Sequence, residues 1–118
     1  MALCWIHGQV LLSRENIKGA IYTKFPGGGL ELGEGIADCL KREFMEEVAI
    51  TLSDWQLFHI NDEFLASAFH ISTQVLSIYY QVQSSQYAEV KTGNPADDEL
   101  LQTPGSQVLY WAPLRSPV

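Results

Sequence analysis

Short apolar runs alternate with polar connections along the first quarter of the chain. The runs at residues 2–6 and 9–13 flank a His-Gly pair at 7–8, which is a two-residue hairpin signal. A polar connection over residues 14–19 leads to a third apolar run at 20–25, which ends before a proline. The pattern therefore predicts that the chain begins with three strands, the first two joined by a tight turn.

A helix over residues 36–48 is the strongest element that the pattern predicts. Its apolar residues fall on one stripe of the helix surface: Ile36, Ala37, Leu40, Phe44 and Val48. A glycine-rich segment at 27–35 precedes it, and glycine makes positive φ angles and close backbone approach cheap there. Residues 27–48 are therefore predicted to form a loop followed by an amphipathic helix.

Strands are predicted again after the helix. Segments 55–64, 73–82 and 107–111 are rich in β-branched and aromatic residues, which favours strands. The polar segment 83–106 contains turn signals and a candidate short strand near residues 87–91. The whole chain is thus predicted to be mostly β-structure with one strong helix.

Three glutamates interrupt the expected pattern on the helix. At about 100° per residue, Glu43 and Glu47 lie at the edge of the apolar stripe and Glu46 lies beside them. One interpretation is a solvated acidic face in which Arg42 pairs with Glu46 at i, i+4. The other is a metal site, because the like charges of Glu43 and Glu47 repel unless a cation such as Mg²⁺ neutralises them. The helix alone leaves both interpretations open.

The composition limits the classes of protein to which the chain can belong. A length of 118 residues corresponds to one domain, 1–118, and no apolar run reaches the roughly 18–20 residues of a membrane span. The N-terminus lacks the basic and apolar regions of a signal peptide. The two cysteines, Cys4 and Cys39, are too few for a disulfide framework. A cytoplasmic setting without membrane contact is therefore predicted.

The charge balance excludes one class of partner. Fourteen acidic and seven basic residues give a net charge of -7, and the basic residues are scattered along the chain. A protein that binds duplex nucleic acid presents a clustered basic surface instead. Duplex nucleic acid is therefore excluded as a partner, whereas a metal bound by clustered carboxylates would still allow phosphate chemistry.

Residues 28–50 carry a set of positions whose residue types and spacing settle the interpretation of the helix. With five and then seven residues between the first three positions, the set is Gly28, Glu34, Arg42, Glu43, Glu46 and Glu47. This set, preceded by Phe-Pro-Gly at 25–27, resembles the Nudix box. Ala49 departs from the pattern, because the family usually has glycine there, where a left-handed residue ends the helix. It coincides with no ligand position, so it concerns turn geometry.

The resemblance implies a fold and an activity. It implies an α/β (α+β) fold, a Nudix-like α/β/α sandwich with a mixed β-sheet. It also implies hydrolysis of a pyrophosphate bond in a nucleoside diphosphate linked to another group, with Mg²⁺, or Mn²⁺, as the cofactor. The metal would neutralise the diphosphate and polarise phosphorus for attack by water. A nucleoside triphosphate or related nucleotide is the favoured substrate.

The resemblance also assigns roles to residues of the box. Glu43, Glu46 and Glu47 are the expected metal ligands, and a backbone carbonyl in the Gly27–Gly28 pair adds another. Glu34 and Arg42 match positions that usually pair to hold the loop against the helix and orient the acidic cluster. The predicted catalytic residues within the box are Arg42, Glu46 and Glu47, and its structural residues are Gly27, Gly28 and Glu34.

Residues outside the box are assigned less directly. Arg14 and Lys24 are candidates for contacts with substrate phosphates, or are surface cations without a role. The general base often comes from a carboxylate in a later loop, which makes Glu99 the first candidate and Glu63 and Glu89 its competitors, although each is also typical of a solvated loop. Four strand aromatics could stack on a base or fill the core: Tyr22, Phe69, Tyr79 and Tyr80.

Two questions stay open at this point. Family members usually follow the last strand with a helix, but after residues 111–114, which would lead into it, only residues 115–118 remain here, so the C-terminal helix is expected to be short or missing. Either the domain is minimal or trimmed, or a second chain in a homodimer covers the exposed sheet face. The alternative function is a catalytically silent Nudix-like module that binds a nucleotide and regulates a partner. It would predict loss of a box carboxylate, and all four are present.

Overall fold

The first strand begins at Ala2, which is the first residue that the structure describes, and pairs there with Tyr80. The computed structural model describes the backbone of residues 2–6 and all atoms of residues 9–67 and 72–113. The bounds of the elements are β1 Ala2–Ile6, β2 Gln9–Ile17, β3 Ala20–Lys24, α1 Ile36–Glu47, β4 Asp54–Ile60, β5 Ile78–Gln83, a 3₁₀ turn Tyr87–Glu89, α2 Asp98–Gln102 and β6 Gln107–Pro113. The predicted turn at residues 7–8 and the question of a helix at 114–118 lie outside the described residues.

The strands form one mixed sheet in the order β3-β2-β1-β5-β4, with β6 added along β2. β1 runs parallel to β5, and the other pairs are antiparallel. β2 pairs with β6 along one edge over residues 9–15, while β1 and β3 share its other edge. β2 is therefore the strand around which the fold is organised.

The two helices lie on opposite faces of β2. Leu11 points toward α1 and is fully buried against Leu40 and Phe44. Asn16, five residues on and therefore of opposite parity along the strand, donates from its amide to the carbonyl oxygen of Leu100 in α2, at 3.0 Å. This confirms the predicted α+β class with a mixed sheet. No helix in the described part of the chain is long and apolar enough to cross a membrane.

The apolar stripe of the helix supplies three of the seven buried residues of the main core, namely Leu40, Phe44 and Val48. The other four are Leu11, Ile50, Leu52 and Val82. Asp38 ends the first turn of the helix and accepts a hydrogen bond from the Gly35 backbone N–H at 3.0 Å. The apolar side of α1 is thus fixed against the sheet, and the position of its acidic side follows from that packing.

Several predicted boundaries were wrong. Residues 14–17 of the predicted polar connection are instead the second half of β2, because Glu15 and Asn16 have polar partners in the folded chain, and only residues 18–19 form a turn. The predicted strand near 87–91 is a 3₁₀ turn, whose Tyr87 hydroxyl donates to the Val82 carbonyl oxygen at 2.8 Å. Strand 55–64 already ends at Ile60, and strand 73–82 begins only at Ile78.

Helix α2 was not predicted. Asp97 caps it by accepting a hydrogen bond from the Glu99 backbone N–H at 2.8 Å, and Leu100 buries its apolar side. An aspartate three residues before a pair of leucines is a usable N-cap signal. A helix of five residues has too few turns to show periodicity, so the sequence pattern predicts a solvated loop here.

Candidate active site

Arg42 fastens the glycine-rich loop to α1. Its guanidinium donates two hydrogen bonds to the Glu34 carboxylate, from Nε at 3.0 Å and from Nη2 at 2.7 Å. Nη2 also donates to the Gly29 carbonyl oxygen at 3.0 Å. A planar guanidinium can hold a carboxylate through two parallel bonds, which fixes orientation as well as distance. The structure therefore brings together the two residues that the sequence predicts to join loop and helix.

The Glu34–Arg42 pair favours the charged form of both groups. Hydrogen bonds from Arg42 lower the pKa of Glu34 to about 2, and a backbone hydrogen bond from Glu31 acts in the same direction. The hydrogen bond to Glu34 raises the pKa of Arg42 above its ordinary value. Beside the pair, burial raises the pKa of the Cys39 thiol, which is unfavourable for a reactive thiolate.

The same guanidinium reaches two of the predicted metal ligands. Arg42 Nη1 donates to Glu43 Oε1 at 2.8 Å and to Glu46 Oε2 at 3.3 Å. Glu43 is buried, whereas the Glu46 side chain is more than half exposed. Arg42 is thus both the anchor of the loop and a cationic partner of the acidic side of α1.

Glu47, the third predicted ligand, points to the start of the glycine-rich loop. Its Oε2 accepts a hydrogen bond from the Gly27 backbone N–H at 3.0 Å. Burial raises the pKa of Glu47, and the hydrogen bond from Gly27 and the nearby charge of Lys24 offset part of that increase. Glu47 is therefore a carboxylate partly withdrawn from water, in a position where extra positive charge would stabilise it.

Glycine at position 28 lets Glu43 approach the loop backbone. A Cβ atom at this position would lie 2.5 Å from Glu43 Cδ and 2.6 Å from its Oε2, well inside van der Waals contact. The carboxylate of a predicted metal ligand therefore lies directly against the loop, in space that only glycine leaves free.

Substituting alanine at this position tests whether that contact matters. We expect Gly28→Ala to displace the Glu43 carboxylate and lower hydrolytic activity roughly tenfold or more, with a small change in melting temperature. Gly29→Ala is the matched control, because a Cβ there has open space around it. Equal activity of the two variants, measured in one hydrolysis assay, would show that the close approach at Gly28 has no role.

The predicted ligands are neighbours without forming one ligand set. In the described part of the chain, no three His, Cys, Asp or Glu side chains are grouped as a metal site. Glu43 and Glu46 share Arg42, and Glu47 has the Gly27 N–H as its partner. The metal-binding role of these three residues therefore stays a prediction.

The two basic candidates lie on opposite faces of the sheet. Lys24 is paired with Ser13 in the register and forms an ion pair with Glu15, Nζ to Oε1 at 3.2 Å, on the face that packs toward α1. Arg14 alternates to the other face, where its buried Nε finds no hydrogen-bond partner among the described residues. Lys24 is therefore near the acidic side of α1, and Arg14 is not aligned with it.

The proposed general base is placed in a different element. Glu99 lies in the first turn of α2, and no hydrogen bond or ion pair among the described residues joins its side chain to α1. Its competitors are also separate, since Glu63 follows β4 and Glu89 ends the 3₁₀ turn, both exposed. Of the aromatic candidates, Tyr79 packs against Phe25, and Phe69 lies outside the described residues.

One carboxylate near the site, Glu15, was missed from the sequence. Glu15 lies beside Lys24, and its charge contributes to the raised pKa of Glu47. Ser13 donates to Glu15 Oε1 at 3.3 Å and accepts from Gln107 Nε2 at 2.7 Å, which ties this carboxylate to β6. Extending the alternation of Leu11 by two and four residues would have placed Ser13 and Glu15 on the same face as α1.

A residue in the left-handed conformation, Ala49, follows the end of α1. Ala49 has φ of 60°, so the alanine adopts the conformation for which the Nudix pattern usually has glycine. An alanine in this region costs roughly 1 kcal/mol relative to glycine. The departure from the pattern thus leaves the direction of the chain after α1 unchanged.

Comparisons with known proteins agree with this geometry. The family model described as NUDIX domain matches residues 2–115. Among solved structures, the chain is similar to the mutator MutT protein from Bacillus halodurans, with a TM-score of 0.63, 24% identity and 95% of this chain covered. It is also similar to a MutT described for the psychrophilic fish pathogen Aliivibrio salmonicida and the mesophile Vibrio cholerae, with a TM-score of 0.54 and 20% identity.

The extent of these matches defines what they establish. The chain spans 65% of the length of the Bacillus halodurans protein. The match to the second MutT covers 95% of this chain and 77% of that protein. At these identities the two structures establish the fold. A comparison with curated protein sequences found no match. Because the family model covers nearly the whole sequence and the box residues occupy the loop and helix described above, the chain belongs to the Nudix domain family.

Proposed function

We propose that the protein is a Mg²⁺-dependent Nudix hydrolase that cleaves a pyrophosphate bond in a nucleoside diphosphate linked to another group, with a nucleoside triphosphate as the favoured substrate. The observation that carries the proposal is the fastening of the glycine-rich loop to α1 by Arg42 and Glu34. Glu43 and Glu47 lie against the loop at Gly28 and Gly27, and Glu46 lies on the same side of α1, where it accepts a hydrogen bond from Arg42. A cytoplasmic location and a homodimer remain predictions that accompany this proposal.

The residues present fit a hard divalent cation. Glu43, Glu46 and Glu47, with a carbonyl oxygen of Gly27 or Gly28, offer the oxygen ligands that Mg²⁺ prefers. The partial burial of Glu47 favours a cation further, because its charge has lost part of its hydration. Such a cation, when bound, supplies positive charge that neutralises the diphosphate oxygens. Arg42 would then share the oxygens of Glu43 and Glu46 with it.

The chain's own residues would hold the substrate and the site geometry. Lys24 lies near Glu47 and would contact a phosphate oxygen after giving up its partly buried ion pair with Glu15. Through its two hydrogen bonds to Glu34, Arg42 would hold the loop in a fixed position against the helix while the substrate binds. The assignment of Glu99 as general base has the weakest support, because α2 is fastened to the other face of β2.

A substrate panel tests the proposal. We expect hydrolysis of nucleoside triphosphates that requires Mg²⁺ or Mn²⁺ and stops when a chelator removes the metal, because the diphosphate charge is otherwise unbalanced in a protein of net charge -7. Release of phosphate or pyrophosphate is measured over triphosphates, ADP-ribose, dinucleoside polyphosphates and NADH. No turnover with any metal, together with a melting temperature raised by nucleotide, would support the regulatory module instead.

A further inference from the structure

Glu47 differs from the other two predicted metal ligands in having no ion pair with any of the described residues. Arg42 forms ion pairs with both Glu43 and Glu46, at 2.8 Å and 3.3 Å. The hydrogen bond that Glu47 accepts comes instead from the uncharged backbone N–H of Gly27. A partly buried carboxylate has lost part of its hydration, so it gains more from a nearby cation than an exposed one does. Of the three glutamates, Glu47 therefore has the charge that is left for a bound metal to neutralise.

Lys24 is a cation close to Glu47, yet it is paired with another carboxylate. Lys24 lies three residues before Gly27, whose N–H contacts Glu47. Burial raises the pKa of Glu47, the charge of Lys24 acts against this increase, and the charge of Glu15 adds to it. The Lys24 ammonium nevertheless forms its ion pair with Glu15, Nζ to Oε1 at 3.2 Å. Lys24 thus has two neighbouring carboxylates and pairs with the one that is not a predicted metal ligand.

Glu15 is held in place by the sheet. Strand alternation places it on the same face as Ser13, whose hydroxyl donates to Glu15 Oε1 at 3.3 Å. Ser13 is fully buried and accepts a hydrogen bond from Gln107 Nε2 at 2.7 Å, across the pairing of β2 with β6. The Glu15 side chain itself is only 16% exposed. Because a lysine has a flexible stem, a carboxylate fixed in this way determines where the ammonium of Lys24 lies.

We propose that Glu15 is a positioning residue, which holds the ammonium of Lys24 away from Glu47 and so keeps Glu47 available to a divalent metal. Without Glu15, the unpaired ammonium would turn to the Glu47 carboxylate and compete there with the metal, because opposite charges attract more strongly where water is partly excluded. The role of Glu15 rests on the proposed function, since it concerns the same metal site. Glu15 acts through Lys24 and is neither a metal ligand nor a catalytic residue.

The experiment measures the binding of Mn²⁺ alone, by titration calorimetry, to the full chain and to three variants of it. The variants are Glu15→Gln, Lys24→Met and the two substitutions combined. Glutamine keeps an oxygen that can accept the hydrogen bond from Ser13, and methionine keeps most of the lysine stem, so all three are expected to fold, which melting temperatures verify. Asp62→Asn and Lys91→Met are the matched controls, because each removes the same charge from an exposed residue without an assigned role.

We expect Glu15→Gln to weaken Mn²⁺ binding roughly tenfold when Lys24 is present, because the substitution removes a negative charge and also releases Lys24. In the Lys24→Met background the same substitution should weaken binding less than about threefold, since no ammonium is left to compete with the metal. Both controls should change the affinity by less than about twofold, because exposed charges are screened. An equal effect of Glu15→Gln in the two backgrounds would overturn the proposal, because Glu15 would then act by its own charge alone.

Hydrolysis of nucleoside triphosphates, measured on the same proteins, separates the role of Glu15 from the proposed function. If Mn²⁺ binding shows the expected difference between the two backgrounds and nothing is hydrolysed, the role of Glu15 holds and the hydrolase proposal fails. If the wild-type protein hydrolyses triphosphates while Glu15→Gln weakens Mn²⁺ binding equally in both backgrounds, the hydrolase proposal holds and the role of Glu15 fails.

Discussion

Replacing Glu47 by glutamine is expected to lower metal-dependent hydrolysis at least about 100-fold without lowering the melting temperature. Glutamine keeps an oxygen that can accept the hydrogen bond from Gly27 N–H, so the contact between α1 and the loop is retained. The negative charge is lost, and with it one oxygen ligand for the cation. Burial already disfavours this charge, so removing it should leave the stability equal or higher.

The comparison needs a carboxylate that has the same charge and no assigned role in the site. Asp62→Asn is suitable, because Asp62 is exposed after the end of β4. Hydrolysis rates and melting curves with and without Mg²⁺ are measured for both variants and the wild-type protein. Mg²⁺ should raise the melting temperature of the wild-type and Asp62→Asn proteins and leave that of Glu47→Gln unchanged. Full activity of Glu47→Gln would refute its role as a metal ligand.

Removing the guanidinium of Arg42 is expected to have the largest effect on stability among the polar substitutions. Arg42→Met keeps much of the length of the side chain but leaves Glu34 without its two hydrogen bonds and the Gly29 carbonyl oxygen without its donor. We expect a melting temperature lower by roughly 5–10 °C at pH 7. Activity should fall as well, because the loop loses its attachment to the helix that carries the glutamates.

A pH series identifies the lost interaction. The pKa of Glu34 is lowered from 4.5 to about 2 in the folded wild-type protein, so this carboxylate stabilises the fold above pH 4.5. That stabilisation disappears as the pH falls toward 2. The difference in melting temperature between wild type and Arg42→Met should therefore shrink over this range.

Lys41→Met is the matched control for Arg42→Met. It removes the same charge from the adjacent position of α1, where Lys41 lies over the Trp55 ring at 4.7 Å from its centroid. Lys41→Met should lower the melting temperature by less than about half as much as Arg42→Met does. The difference in melting temperature between wild type and Lys41→Met should stay constant between pH 4.5 and 2. A similar pH dependence in both variants would show that Glu34 does not stabilise the fold through Arg42.

Those parts of the site whose residues lie close together in the sequence could be predicted from the sequence alone. Helix α1 is predictable because Leu40, Phe44 and Val48 form a stripe that the core buries. Glu34 and Arg42 are eight residues apart, so a family resemblance in one short segment includes both of them. The spacing of the box therefore predicts the attachment of the loop to the helix as well as the positions of the glutamates.

The remaining features depend on contacts between distant segments. The polar half of β2 could not be predicted, because Asn16 is stabilised by α2 carbonyls more than eighty residues away, and hydropathy does not register such a partner. The same holds for Glu15, which becomes part of the site only when Lys24 of β3 lies beside it. The addition of β6 along β2 and the parallel pairing of β1 with β5 are also tertiary outcomes.

The pairing of β2 with β6 sets the order of events during synthesis. β2 leaves the ribosome early, but the strand that covers its second edge is residues 107–113, so this edge stays unpaired while about ninety residues are added. At roughly 5–20 residues per second, that interval lasts several seconds. An unpaired edge of this length is a template for pairing with another nascent chain. Yield in the cell should therefore depend on translation rate and chaperone supply as well as on the stability of the finished fold.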